Sequence, residues 1–319
     1  METFLPIFNQ TLFLLIFILI GYLFAKCKLV PENAATTLSR LETLLFVPAL
    51  VAGTFVQNCT VEILSSVWKV LVAGLSMVIV LIPLSICFAR LCFKEDYLRK
   101  IATYGLAFSN FAFMGNAVMS AVYPEIFFEY TVFTLPFWFF IYLWGTPVLL
   151  IGSSGEKGKS GLSGRLKAFL NPMMIGMLIG AVIGLTGVKL PTVVLSVVNA
   201  AGSCMSPVAM LLTGMTVAKI SFPQLLKNGR VYGLTAIKLV GYPLVYVGVA
   251  VLLKLVGLED RTILLCGLCV AAMPTGLNSI VVPSSYGKDT KAAASMALIT
   301  HVLSVITIPL AFLLFEWII

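Results

Sequence analysis

Charge is scarce in this chain. Of 319 residues only 11% are Asp, Glu, Lys or Arg, and histidine occurs once, at position 301. Soluble domains carry about a quarter charged residues, so composition excludes an extensive water-facing surface. A single histidine excludes every site that needs two. No H-E-x-x-H, G-x-S-x-G or paired-aspartate motif is present for metal, nucleophilic or pyrophosphate chemistry, so an enzyme is not expected. The seven cysteines are odd in number and sit mostly in apolar stretches, which argues against a disulfide framework. Cys266 and Cys269 form C-x-x-C without a second pair or a nearby histidine to complete a metal site. Neither a cofactor nor a resident metal is expected. The formal charge of +8 has no soluble Lys/Arg-rich face to concentrate it, so nucleic acid is not an expected partner. The first ten residues, METFLPIFNQ, contain no basic stretch or small-residue cleavage pattern, so the apolar run that follows is expected to be a retained helix.

Apolar residues dominate instead, at 60% of the chain with a mean hydropathy of +1.06. That is the composition of an integral membrane protein, with the lipid bilayer as its surroundings and the plasma (cell inner) membrane as its expected location. Spans of roughly 20 residues with short connections fit about ten helices into this length. Apolar runs place them near 5–25, 34–56, 66–92, 100–122, 127–151, 169–187, 192–217, 231–255, 261–284 and 290–315. The polar stretch 153–167, SSGEKGKSGLSGRLK, reads as a cytoplasmic linker between residues 1–152 and 168–319.

Prolines reveal a relation between those halves. Pro31 pairs with Pro191 (191 − 31 = 160), Pro48 with Pro207 (207 − 48 = 159), Pro83 with Pro243 (243 − 83 = 160) and Pro147 with Pro309 (309 − 147 = 162). Four prolines in nearly constant register indicate an internal repeat. Each repeat holds an odd number of spans, so the second is inverted relative to the first, an arrangement common among secondary transporters. Fifteen of the basic residues, among them Lys26, Arg90, Arg99, Arg165 and Lys227, then fall in inner loops. Only Lys69, Lys189, Lys254 and Arg261 fall outside, so both termini are expected on the non-cytoplasmic side.

The stretch 266–289, CGLCVAAMPTGLNSIVVPSSYGKD, is apolar enough for a bilayer but carries Pro274, Gly276 and Asn278 in mid-run. Proline removes a backbone donor and glycine tolerates helix-ending dihedrals, so the ninth span is read either as two half-helices or as one kinked helix. Open backbone at membrane depth survives only inside protein or beside a watery cavity, which makes a break a pointer to a binding site. At an offset of 278 − 116 = 162, Asn116 of the fourth span falls on Asn278, and the fourth span inherits the same reading.

These residues carry a resemblance. MPTGLNSIVVPSSYGKD and the following ASMALITHVLSVITIPLAFLL resemble the auxin efflux carrier family, which includes malonate-type permeases. Asn110, Phe113, Met114 and Gly115 fit that family's pattern in the fourth span, whereas Ala112 and Ala117 stand where glycine and proline are usual. The resemblance implies an all-α protein of ten transmembrane helices in two inverted five-helix repeats, with broken fourth and ninth helices crossing at mid-membrane. It further implies a scaffold from the first two spans of each repeat, a transport unit from the last three, and an elevator-like movement. A homodimer through the scaffold helices is a further expectation.

At such a crossing the half-helix N-termini favour an anion, which suits a small organic carboxylate. Asn110, Gly115, Asn116, Pro274, Gly276 and Asn278 are the candidate substrate-binding residues. The three asparagines either orient the substrate or satisfy freed backbone groups, and the two roles are compatible. Three intramembrane ionisable residues are candidates for coupling or gating. Glu42, with Arg40, lies early in the second span, where snorkelling or pairing with other charges is the alternative. Lys238 divides between function and snorkelling, and His301 between packing and carrying a coupling proton. Proton and sodium both stay open as coupling ions. The function expected is secondary transport of a mono- or dicarboxylate, or an auxin-like acid; the alternative is a non-transporting sensor or channel on the same fold.

Overall fold

A computed structural model describes residues 3–151, 172–218, 229–255, 257, 260–285 and 288–319. The expected linker 153–167 lies outside the described residues. Everything described is helical or connecting, with no strand. The helices are α1 (Phe4–Lys26), α2 (Ala34–Asn58), α3 (Val61–Cys92), α4 (Asp96–Ala107), α5 (Phe111–Val122), α6 (Pro124–Ile151), α7 (Pro172–Thr186), α8 (Thr192–Val217), α9 (Gly229–Leu255), α10 (Arg261–Ala272), α11 (Asn278–Ser285) and α12 (Lys291–Ile318).

Local signals account for several boundaries. The Thr60 hydroxyl accepts from the Ile63 amide at 3.3 Å to start α3, and the Asp260 carboxylate accepts from the Ile263 amide at 3.2 Å to start α10. Gly187, at φ +66°, ends α7 in the left-handed region open to glycine. Single wide turns interrupt the regular ladder at Glu42–Phe46 in α2 and Ile237–Gly241 in α9, and another opens α5 at Phe111–Gly115.

Among the described residues seven helices are long and apolar enough to cross a membrane: α1, α2, α3, α6, α8, α9 and α12. The sequence predicts ten, and the shortfall has a physical origin. The regions 100–122 and 261–284 each fold as two shorter helices, α4 with α5 and α10 with α11. The described part of 169–187 begins only at Pro172.

Packing is reciprocal. α1 lies along α8, while α2 lies along α7. A methyl group on Gly21 of α1 would strike the Leu211 carbonyl of α8, and one on Gly180 of α7 would strike the Ala52 carbonyl of α2. These contacts are images of one another at a single separation, since 180 − 21 = 159 and 211 − 52 = 159. The same separation relates Thr54, which donates to Leu50 O at 2.8 Å, to Thr213, which donates to Ala209 O at 2.7 Å. Small residues are what allow helix backbones to approach this closely in lipid. The main apolar core runs through α3, α4, α5, α6, α10 and α12, with Phe108, Phe111, Phe133, Phe137 and Phe312 at its centre.

Candidate functional site

Between α4 and α5, and between α10 and α11, the chain leaves helical geometry, and the two interruptions meet. Ser109 and Thr275 form an isolated antiparallel bridge. The Asn110 amide donates to Pro274 O at 2.7 Å, and the Gly276 amide donates to Phe108 O at 3.1 Å. Side chains brace this pairing. Ser109 Oγ donates to Val270 O at 2.8 Å, while the Thr275 amide donates to Thr300 Oγ1 at 3.3 Å. The geometry needs a residue without a Cβ at 276, because a methyl group there would lie 2.6 Å from the Phe108 carbonyl oxygen.

Backbone pairing leaves a set of donors over. Among the described residues no hydrogen bond within the chain takes up the amides of Phe111, Ala112 and Phe113 on one side, or of Leu277 and Asn278 on the other. All five residues line one narrow cleft with a cavity volume of about 20 Å³, whose remaining wall includes Tyr104, Ser109, Asn110 and Trp138. Free amides at helix starts carry partial positive charge and accept anions. Two larger cavities, between α3 and α9 and beside α6, are almost wholly apolar, while a third, where the end of α1 meets the start of α2 and the end of α8, has Lys28 and Glu32 in its wall.

The predicted site residues separate into groups. Asn110, Gly276 and Asn278 line the cleft, and Pro274 supplies the carbonyl that holds the Asn110 amide. The Asn278 side chain interacts with the Tyr104 hydroxyl, which also meets Thr146. Gly115 lies behind the wall, where its lack of a side chain leaves room for the Tyr130 hydroxyl, which donates to Phe111 O at 2.8 Å. Asn116 is not among the lining residues and stands five residues past the interruption. Its expected alignment with Asn278 at separation 162 differs from the pairing the backbone makes, where 275 − 109 = 166. The register at the bridge thus differs from the expected one by 166 − 162 = 4 residues, about one helical turn.

His301 is 2% exposed and touches the cleft from behind. Its Nε2 lies 2.9 Å from Asn110 Nδ2, and its Nδ1 lies 2.7 Å from Ala297 O. Lys238 is 1% exposed and turned into the protein rather than toward an interface. Its Nζ lies 3.5 Å from Leu106 O and 5.0 Å from the Tyr242 ring centroid, so the amine stands at the carbonyl end of α4. Glu42 is elsewhere, on the wide turn of α2 against α7 and α8. It is 2% exposed, and among the described residues neither carboxylate oxygen has a hydrogen-bond partner, so neither snorkelling nor a charge pair, the alternatives to a coupling or gating role, is seen there. Ser109, Thr275, Thr300 and Tyr104 carry no sequence signal of their own, apart from the adjacency of Ser109 to Asn110 and of Thr275 to Pro274. Ser206, beside Pro207 in α8, donates to Phe113 O at 3.0 Å and so ties α8 to the cleft wall.

Comparison with known families settles the class. Residues 6–312 match a family model described as a membrane transport protein. The chain belongs to this family, that of the auxin efflux carriers. The match spans nearly the whole chain and includes both interruptions and the residues between them. A comparison with curated proteins found no match.

Proposed function

We propose that the protein is a secondary active transporter that moves a small organic anion, a mono- or dicarboxylate or auxin-like acid, by elevator-type alternating access. The observation that carries this reading is the pair of interruptions joined through Ser109 and Thr275, with five residues along one cleft whose amides have no partner among the described residues. An anion accepts hydrogen bonds from those amides, and Asn278 and Asn110 orient it. No basic side chain is required at the site.

The architecture belonging to this reading has ten spans in two inverted five-helix repeats, with α4–α5 and α10–α11 as the broken fourth and ninth. The matching contacts of Gly21 with Leu211 and Gly180 with Ala52 support it, because a two-fold relation between repeats generates contacts in such pairs. In this reading α1, α2, α7 and α8 form the scaffold, through which two copies associate, and the other helices form the moving unit. The protein lies in the plasma membrane with both termini outside. Its coupling ion is a proton or sodium.

The test is uptake into proteoliposomes of mono- and dicarboxylates and indole-type acids, beside their neutral amides. Saturable uptake of an acid, with its amide excluded, is the expected result. Equal handling of an acid and its amide would falsify the anion site. Labelling cysteines introduced by Glu2→Cys and Ile319→Cys with an impermeant reagent from outside tests the topology. Labelling only from the cytoplasmic side overturns the outward placement of the termini, and labelling of the two ends from opposite sides overturns the inverted arrangement.

A further inference from the structure

Asn110 and His301 form a couple whose polarity follows from hydrogen-bond chemistry. The Ala297 carbonyl oxygen can only accept, so the Nδ1 lying 2.7 Å from it carries the ring proton. In the neutral ring Nε2 is then an acceptor, and it receives a hydrogen from Asn110 Nδ2 at 2.9 Å. The amide is thereby held with its nitrogen toward α12. Its Oδ1, on the opposite branch of the planar group, has no partner among the described residues and is not one of the sealed side-chain atoms left without one, as befits an atom open to the cleft that Asn110 lines.

The cleft therefore presents an unpaired side-chain acceptor, Asn110 Oδ1, among five amide donors that have no partner among the described residues. A bare carboxylate satisfies the amides but brings only more acceptors toward Asn110 Oδ1. We infer that His301 is a positioning residue that fixes Asn110 Oδ1 toward the cleft, and that the substrate is a carboxylate bearing a hydroxyl donor close to its acid group, a hydroxycarboxylate. This deepens the anion-transport reading and rests on it. A buried acceptor matched by a donor on the correct ligand and orphaned by the wrong one discriminates by about tenfold or more.

The experiment measures affinities by ligand-induced thermal shift on the purified full-length protein, comparing lactate with propionate and malate with succinate. In each pair the two acids differ by one hydroxyl. The wild type is expected to prefer the hydroxyl-bearing acid by about tenfold or more. In His301→Phe the amide is free to turn, so the preference falls to within about twofold while affinity for propionate or succinate changes little. His301→Gln, which restores an acceptor, recovers part of the preference. A merely structural histidine would lower all four affinities together and leave the ratios unchanged. Should His301→Phe not fold, Asn110→Leu serves in its place, with the same loss of preference expected. Equal affinities within each pair for the wild type, or a preference that survives both variants, overturns the inference and leaves the anion reading standing. Failure of the folded wild type to bind any of the four acids overturns both.

Discussion

The two interruptions reach matching geometry from different sequences. Between Ala272 and Asn278 the chain contains Pro274 and Gly276, residues that end helices by their own covalent structure. Between Ala107 and Phe111 it reads Phe-Ser-Asn, with Ala112 and Ala117 further on, and nothing in that stretch forbids a continuous helix. Partners hold it open instead. Asn110 gives its amide to Pro274, Phe108 gives its carbonyl to Gly276, and Ser109 Oγ reaches Val270 O. The intrinsically broken segment acts as a template for the other, so local propensity at one position is replaced by tertiary hydrogen bonds at its counterpart.

Breaking the template is expected to have the largest effect. Gly276→Val brings a side chain into the Phe108 carbonyl, which cannot move without losing the bridge. Transport and thermal stability are both expected to be lost, a destabilisation of more than about 4 kcal/mol. Retained uptake would mean that the two segments need not pair.

Next comes Asn278→Ala, which removes a neutral donor to a charged ligand, worth about 1.5 to 3 kcal/mol or a ten- to hundredfold loss of affinity. Asn116→Ala is its partner measurement. Because Asn116 stands outside the cleft, ligand affinity in that variant should stay within about twofold of wild type. An equal loss in both would restore the alignment at separation 162 and undo the register that the backbone bridge indicates.

Ser109→Ala should act more mildly, removing one hydrogen bond to Val270 O at a cost of about 1 kcal/mol, read as a lower melting temperature in detergent. A cost near zero would show that the backbone bonds alone keep the first segment open. Smallest of all is Gly233→Ala in α9, where no atom lies within 4 Å of the added methyl group. There the change should be neutral or stabilise by up to about 1 kcal/mol, because alanine is the better helix former. Set beside Gly276→Val, it separates glycines kept for close approach from those that are not.

Legibility in the sequence followed the same division. Membrane insertion, the positions of most helices and the proline register were readable because each rests on the composition or backbone chemistry of consecutive residues. Pro274 and Gly276 carried their consequence openly, and α10 ends at Ala272 just before them. For the first segment the repeat register pointed to the right region but to Asn116, whereas Asn110 is the asparagine at the interruption. Proline spacing measures spans, and connections of unequal length shift the residues between them.

Chain chemistry alone made this a membrane protein, since 60% of its residues are apolar and only 11% are charged. It could not tell which polar side chains would share a cleft. Ser109 and Thr275 are 166 residues apart, Asn110 and His301 are 191 apart, and Lys238 meets the end of α4 across 132 residues. Such pairings depend on how helices stack, and the stacking depends on many weak apolar contacts with no sequence marker of their own. Nor could it tell that Glu42 would be enclosed with no hydrogen-bond partner among the described residues while Lys238 would find a helix end. Whether a buried polar group is answered is set by the neighbouring helix, not by the helix that carries it.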